Sequence, residues 1–330
     1  MRRVSIIGVA ALSAIVLLAG CGGSGGSSNA STTPVAAVSA PSLSAEQIMT
    51  KADKAMTGLS SASFRADVAV KMTGSGSSSN AQAQALTQSP ISIHAEGKAE
   101  GKSKVKALEA SMTVRAGGQD LAMGAKVDGK KTWLQFQNQW YVVPPSKTKS
   151  VRSAGSGGVD KQLGALGIDP KAWLAGTTVS TEQLDGATVY HVVAKADTKR
   201  VMDDMMKAMN DPSLLKAAGS DAATLSQLKN QNQAALKSLQ NSLVSAKAEY
   251  WVDAQTFYIR KGSVDADMKF SGDISKQGLS AATLAVTYTL GDFDQPVTVT
   301  PPASAKPFSQ LMKGLFNMAP TTGLGTGTGL

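Results

Sequence analysis

Apolar and polar positions alternate with two different periods along this 330-residue chain, and the places where the period changes outline its elements. From Ser44 the spacing is helical. Ile48, Met49, Ala52, Met56 and Leu59 recur every three to four residues, and Ser44-Ala45-Glu46-Gln47 carries a capping box in which Ser44 and Gln47 satisfy the first turn reciprocally. A helix is therefore predicted to about Gly58, with one face packed on a sheet. From Ser63 the period drops to two: Phe64, Ala66, Val68, Val70 and Met72 face one way, and Arg65, Asp67 and Lys71 the other. This predicts a half-buried antiparallel strand.

The same alternation returns in Ile91-Ile93-Ala95, in Leu108-Ala110-Met112-Val114 and in Leu121-Met123-Ala125-Val127. Gly117-Gly118 and Asp128-Gly129 stand where hairpin turns belong, so a meander is predicted. Leu134-Gln135-Phe136 and Trp140-Tyr141-Val142-Val143 extend it until Pro144-Pro145 stops the run, and residues 146–158 read as a polar loop. A short helix is predicted at 168–174, with Asp169 as cap and Pro170 in its first position. Strands resume around Val179 and at Val189 to Val193, joined by Asp185-Gly186.

Residues 197–247 lack strand alternation and read as helical. Val201, Met202, Met205, Met206 and Met209 form one stripe, Leu225, Leu228, Leu236, Leu239 and Leu243 a second, and Asp211-Pro212 separates them. Strands follow at 248–252, 257–270 and 284–290. Pro296 to Pro302 is expected to end the sheet, and Phe308, Leu311, Met312, Leu315 and Phe316 predict a closing amphipathic helix before a disordered tail at 319–330.

The amino terminus has a different logic. Met1-Arg2-Arg3 is a short basic segment, Val4 to Leu18 is apolar, and Leu18-Ala19-Gly20-Cys21 follows. This is the layout of a secretory signal peptide over 1–20. The last four residues look like a lipobox, in which the sulfur of Cys21 takes diacylglycerol before cleavage at Gly20-Cys21. The competing reading is a signal anchor with a free Cys21 thiol, but the apolar run is shorter than the roughly 20 residues of a bilayer span. Two or three acyl chains, at about 0.8 kcal/mol per buried methylene, make a durable anchor. Residues 21–43, rich in Gly, Ser and Thr, then form a flexible tether whose some 20 residues span about 25 Å by random-coil scaling. The expected location is the extracytoplasmic face of the cell membrane.

Charge and composition mainly exclude. The formal charge of +9 includes Arg2 and Arg3 of the leader, and the remaining surplus is spread over the polar faces of alternating strands. No basic block is interleaved with stacking aromatics, so nucleic acid is not an expected partner, whereas anionic headgroups fit the charge. The single cysteine excludes an internal disulfide framework and CxxC metal or redox motifs. His94 and His191 sit in alternating strands without a cysteine or carboxylate at ligand spacing, and Asp203-Asp204 lie on the polar side of a helix. There is no GxSxG, HExxH or P-loop, so no enzyme, cofactor or metal site is expected.

The order of these parts resembles the LolA-like superfamily, especially the LppX/LprG group of actinobacterial lipoproteins. The similar features are the lipobox and its tether, the first helix running into the Phe64 strand, the Trp140-Tyr141 strand, Tyr250-Trp251-Val252-Asp253 entering a turn, and the closing Leu290-Gly291-Asp292-Phe293-Asp294-Gln295-Pro296-Val297. They span roughly residues 44–305. The resemblance implies an α+β fold over 44–318: a highly curved antiparallel half-barrel whose concave face is covered by helices around an apolar cavity for acyl chains. The helical insertion at about 197–247 departs from that pattern.

On this reading Phe64, Val68, Val70, Leu134, Phe136, Val286 and Tyr288, opposed by Met202, Met205, Met206 and Met209, line a lipid cavity, methionine being flexible enough for ligands of varied shape. Apolar periodicity alone does not distinguish a lined cavity from a packed core. The function implied is binding of acyl lipid or glycolipid and its carriage across or within the envelope, with a membrane transporter as partner. The alternative on the same fold is a regulatory or scaffold lipoprotein that senses envelope lipid or binds a membrane protein.

Overall fold

A computed structural model of the chain describes residues 43–74, 84, 87–101, 105–129, 131–146, 148, 173–210, 241–276 and 278–318. The leader, Cys21, nearly all of the tether, the tail, Leu225, Leu228, Leu236 and Leu239 lie outside them, as does the short helix expected at 168–174 apart from Trp173 and Leu174, the latter opening a strand. Helix α1 is Ala45–Gly58 and strand β1 is Ser61–Gly74. There follow β2 (Ile91–Glu100), β3 (Ala107–Ala116), β4 (Gln119–Asp128), β5 (Lys131–Phe136), β6 (Gln139–Val142), β7 (Leu174–Leu184) and β8 (Ala187–Ala196). After helix α2 (Thr198–Asn210) come β9 (Leu243–Asp253), β10 (Ile259–Lys269), the short α3 (Gly272–Lys276), β11 (Leu279–Gly291), β12 (Lys306–Pro307) and α4 (Phe308–Met318).

Among the described residues the strands form one open, curved, mostly antiparallel sheet in the order β12-β6-β5-β4-β3-β2-β1-β11-β10-β9-β8-β7. Each half is a meander of neighbours, as the alternation predicts. The halves meet where β1 pairs with β11, from Ser63 opposite Gly291 to Gly74 opposite Leu279. A twelve-stranded sheet accumulates too much twist to stay flat, and curling relieves it.

Two-residue turns fix the register. Gly117 and Gly118 join β3 to β4 with φ of 57° and 79°, and Asp185 and Gly186 join β7 to β8 with φ of 50° and 78°. Positive φ at both central residues gives a turn whose twist matches the strands it connects. The β5–β6 turn has the same form without glycine: Gln137 and Asn138 take φ of 46° and 65°.

Helix α1 begins as its capping box requires, Gln47 N donating to Ser44 Oγ at 3.2 Å and Ser44 N to Gln47 Oε1 at 2.9 Å. Its inner face, Ala45, Ile48 and Ala52, packs on Val192 of β8 and Val252 of β9, and Ile48, Ala52 and Val252 are wholly buried. Val179, Tyr190, Tyr250 and Ile259 surround this contact. Helix α1 thus packs against the β7–β10 part of the sheet.

Two sequence expectations need correction. Leu243 is the first residue of β9, not the end of a helical stripe; its spacing from Leu236 and Leu239 suits a helix, but cross-strand pairing of β9 with β10 claims it. The proline-rich segment after β11 does not end the sheet. It crosses the ends of the first-half strands as a strap: Asp294 N donates to Ser61 O, Val297 N to Glu100 Oε2, and Thr300 O accepts from Lys126 Nζ at 2.8 Å. It then adds β12 alongside β6 in the parallel direction, Lys306 opposite Tyr141. Pro307 is tolerated there because β12 is an edge strand.

Candidate functional site

Because side chains alternate across a strand, the register assigns every residue of the sheet to one of two faces. One face is apolar across ten strands. A single transverse row on it runs Val179, Val192, Tyr250, Gly262, Tyr288, Ala66, Ala95, Met112, Met123 and Phe136. The next row on one side carries Val264, Val286, Val68, Ile93, Val114 and Leu121, and on the other Leu290, Phe64, Gly97, Ala110, Ala125 and Leu134. The seven strand residues expected to line a cavity therefore share this face. Val68 stands between Ile93 and Val286, Val70 between Ile91 and Leu284, and Tyr288 between Ala66 and Gly262.

Burial divides the face. Under α1, Val192 and Val252 are closed off and Val179, Tyr190, Tyr250 and Ile259 half-buried; farther along, Ala66, Val68, Ile93 and Ala95 are buried, whereas Phe64, Val70, Met112, Val114, Met123, Leu134 and Phe136, on β1 and β3–β5, are only half-buried. The centre has a low floor where Ala66, Ala95, Gly97, Ala110 and Ala125 adjoin, so bulky groups flank a shallow furrow. A Cβ on Gly97 would lie 2.8 Å from the Ala110 backbone, so glycine is needed for β2 and β3 to approach so closely.

Tyr288 closes one end of that floor. Its ring lies over Gly262, in the space a Cβ there would occupy. The residue is only 8% exposed, and Tyr250 flanks Gly262 from the other side. Burial raises the pKa of both hydroxyls, that of Tyr288 further still through its neighbour Tyr250. The alternation signals Tyr288 and misses Tyr250 and Gly262, because a glycine between two tyrosines on separate strands leaves no mark in the local pattern.

The methionine stripe is placed only in part. Met202 of α2 is buried and Met206 half-buried; the side chains of Met205 and Met209 lie outside the described residues. The adjacent carboxylates differ in setting. Asp203 pairs with Lys199 at 2.8 Å, but Asp204 is buried and accepts from Trp173 Nε1 at 2.9 Å and Lys207 Nζ at 2.8 Å. The Lys207 and Trp173 bonds hold the Asp204 carboxyl below its ordinary pKa.

The opposite face is polar, and here the histidines do find carboxylates, from neighbouring strands rather than from nearby sequence. His94 Nδ1 is 2.6 Å from Asp67 Oδ1. His191 Nε2 is 2.6 Å from Glu249 Oε2, its ring stacks on Trp251 at 4.3 Å, and Glu182 accepts from Trp251 Nε1. Lys126 is the other focal point: it pairs with Glu109 at 2.9 Å and lies 5.3 Å from the centre of the Trp140 ring.

No family model matches the chain, and no curated protein matches it. Among solved structures it is similar to the crystal structure of LprF from Mycobacterium bovis, at 15% sequence identity and a TM-score of 0.37, with 81% of this chain and 100% of that chain covered.

Proposed function

We propose that the chain is an exported lipoprotein, held on the outer face of the cell membrane by lipid on Cys21, which binds acyl lipid or glycolipid on the apolar face of its sheet and carries it across or within the envelope. The observation that carries this reading is the continuous apolar face, roofed by α1 at one end and half-buried over β1 and β3–β5. Apolar surface left partly open contributes about 25 cal/mol per Å² to whatever covers it, and an acyl chain is the long, featureless apolar partner that a furrow of small residues admits. The LolA-like half-barrel is the fold to which we assign it, with a membrane transporter as donor or acceptor.

The test uses the full chain with Cys21→Ala, purified without detergent. Native mass spectrometry should show copurified acyl lipid, or uptake of lipid from vesicles by stripped protein. Bare polypeptide in both measurements would sink the proposal.

A further inference from the structure

The apolar face holds two hydroxyls that the packing of apolar groups does not explain. Tyr250 on β9 and Tyr288 on β11 are the register neighbours of Gly262 on β10, one on each side. Tyr288 spreads its ring over the glycine, which brings its hydroxyl over β10 toward the Tyr250 strand. Tyr288 is more than nine-tenths buried. Neither hydroxyl has a hydrogen-bond partner among the described residues. The two phenols flank one glycine with their hydroxyls unengaged by protein groups, so each keeps a donor available to a ligand on this face.

From this geometry we infer that Tyr250 and Tyr288 form a polar subsite that donates hydrogen bonds to the uncharged carbonyl of an esterified or amidated acyl compound whose chain lies along the small-residue furrow. The inference rests on the proposed lipid binding and adds a selection rule to it. The neighbours on this face, Val192, Ala248, Val264, Val286, Leu290 and Ala66, carry no charge. Arg260, on the same stretch of β10, is paired with Asp253. An ionised carboxylate would therefore enter without a cation to meet it, whereas a carbonyl oxygen requires only donors. Burial raises the pKa of both phenols, which keeps them protonated and able to donate.

The position suits that role. The pair stands where the roof of α1 meets the rest of the face, since Tyr250 packs beside the helix and Tyr288 adjoins Ala66 and the low floor. A carbonyl held there places its chain across β1 and β2 toward Ala110 and Ala125.

The experiment titrates the full-length Cys21→Ala chain with pyrenedecanoic acid and with its methyl ester at neutral pH, following pyrene fluorescence. The ester is expected to bind about tenfold or more tighter than the acid. Tyr250→Phe and Tyr288→Phe, which keep the rings, should each weaken ester binding about five- to tenfold, the scale of one hydrogen bond, and leave acid binding unchanged. Ester affinity within twofold of the parent in both variants, or tighter binding of the acid, overturns the subsite while lipid binding stands. If neither probe binds the parent chain, the proposed function falls and the subsite with it. Should a phenylalanine variant unfold, the ester-to-acid preference of the parent decides alone.

Discussion

Arg260 reaches back across the β9–β10 turn to Asp253, its Nη2 2.6 Å and its Nε 2.8 Å from Oδ2 of a carboxylate that is almost wholly buried. The other oxygen, Oδ1, accepts the backbone N–H groups of Gln255 and Thr256, each at 2.9 Å. Burial alone would push the Asp253 pKa up, but the Thr256, Arg260 and Gln255 bonds together outweigh it and leave the value lowered. A carboxylate whose pKa is lower folded than unfolded contributes stability above its unfolded value of about 3.9, and that contribution fades as pH falls through the folded value. Asp253→Asn is expected to cost about 2–3 kcal/mol at neutral pH, since one side of a buried pair is removed. Urea unfolding at a series of pH values should show the two proteins converging below about pH 4. A gap independent of pH would refute this account.

Ile48→Ala tests the roof. Ile48 is wholly buried between α1 and the β8–β9 strands, and the deletion leaves a cavity beside the buried Val192 and Val252. The expected loss is about 2–4 kcal/mol with an unchanged denaturant slope.

Gln137 occupies a left-handed position that favours asparagine or glycine, and its side chain is exposed. Gln137→Gly should therefore raise stability, by about 0.5 kcal/mol, because relief of backbone strain exceeds the added freedom of the unfolded chain. A lower midpoint of thermal unfolding would contradict the turn geometry.

Lys126 joins the strap to the sheet through Thr300 O, Glu109 and the Trp140 ring. Lys126→Met keeps the stem and removes the charge, and is expected to cost about 1–2 kcal/mol. Hydrogen exchange at residues 297–307 should quicken more than exchange in β8 or β9. Uniform quickening would show that the strap has no separate anchor there.

What the sequence makes legible follows from the range of the forces involved. Alternation at Phe64 to Met72 or Leu121 to Val127 is local, and so are the Gly117-Gly118 and Asp185-Gly186 turns; each was readable and each positions its strand. The common face of Phe64, Val68, Val70, Leu134, Phe136, Val286 and Tyr288 follows from that alternation once register is known. Register between β1 and β11 was not readable, because partners more than two hundred residues apart leave no joint period in the chain. Cross-strand pairing also hid the carboxylates of His191, Glu249 being 58 residues away, and the grouping of Tyr250, Gly262 and Tyr288 on three strands. The strap is hidden from the sequence for another reason. Pro296, Pro301 and Pro302 signal that a ladder stops, but give no direction to the chain that leaves it.

The seam between β1 and β11 also orders events in time. During synthesis β2 can add to β1 and the meander can grow to β6, and β7 to β10 can pair among themselves, each new strand finding its partner already made. Neither half meets the other until residues 279–291 have been made, and the outer edge waits longer still, for Lys306 and Pro307. Contacts of such long sequence separation are the slow ones to form. A chain ending before Leu279 would thus yield two separate hairpin stacks in place of one sheet, with the apolar face split down its middle. Completion of the apolar face is in this sense a late event, controlled by a strand more than four-fifths of the way along the chain.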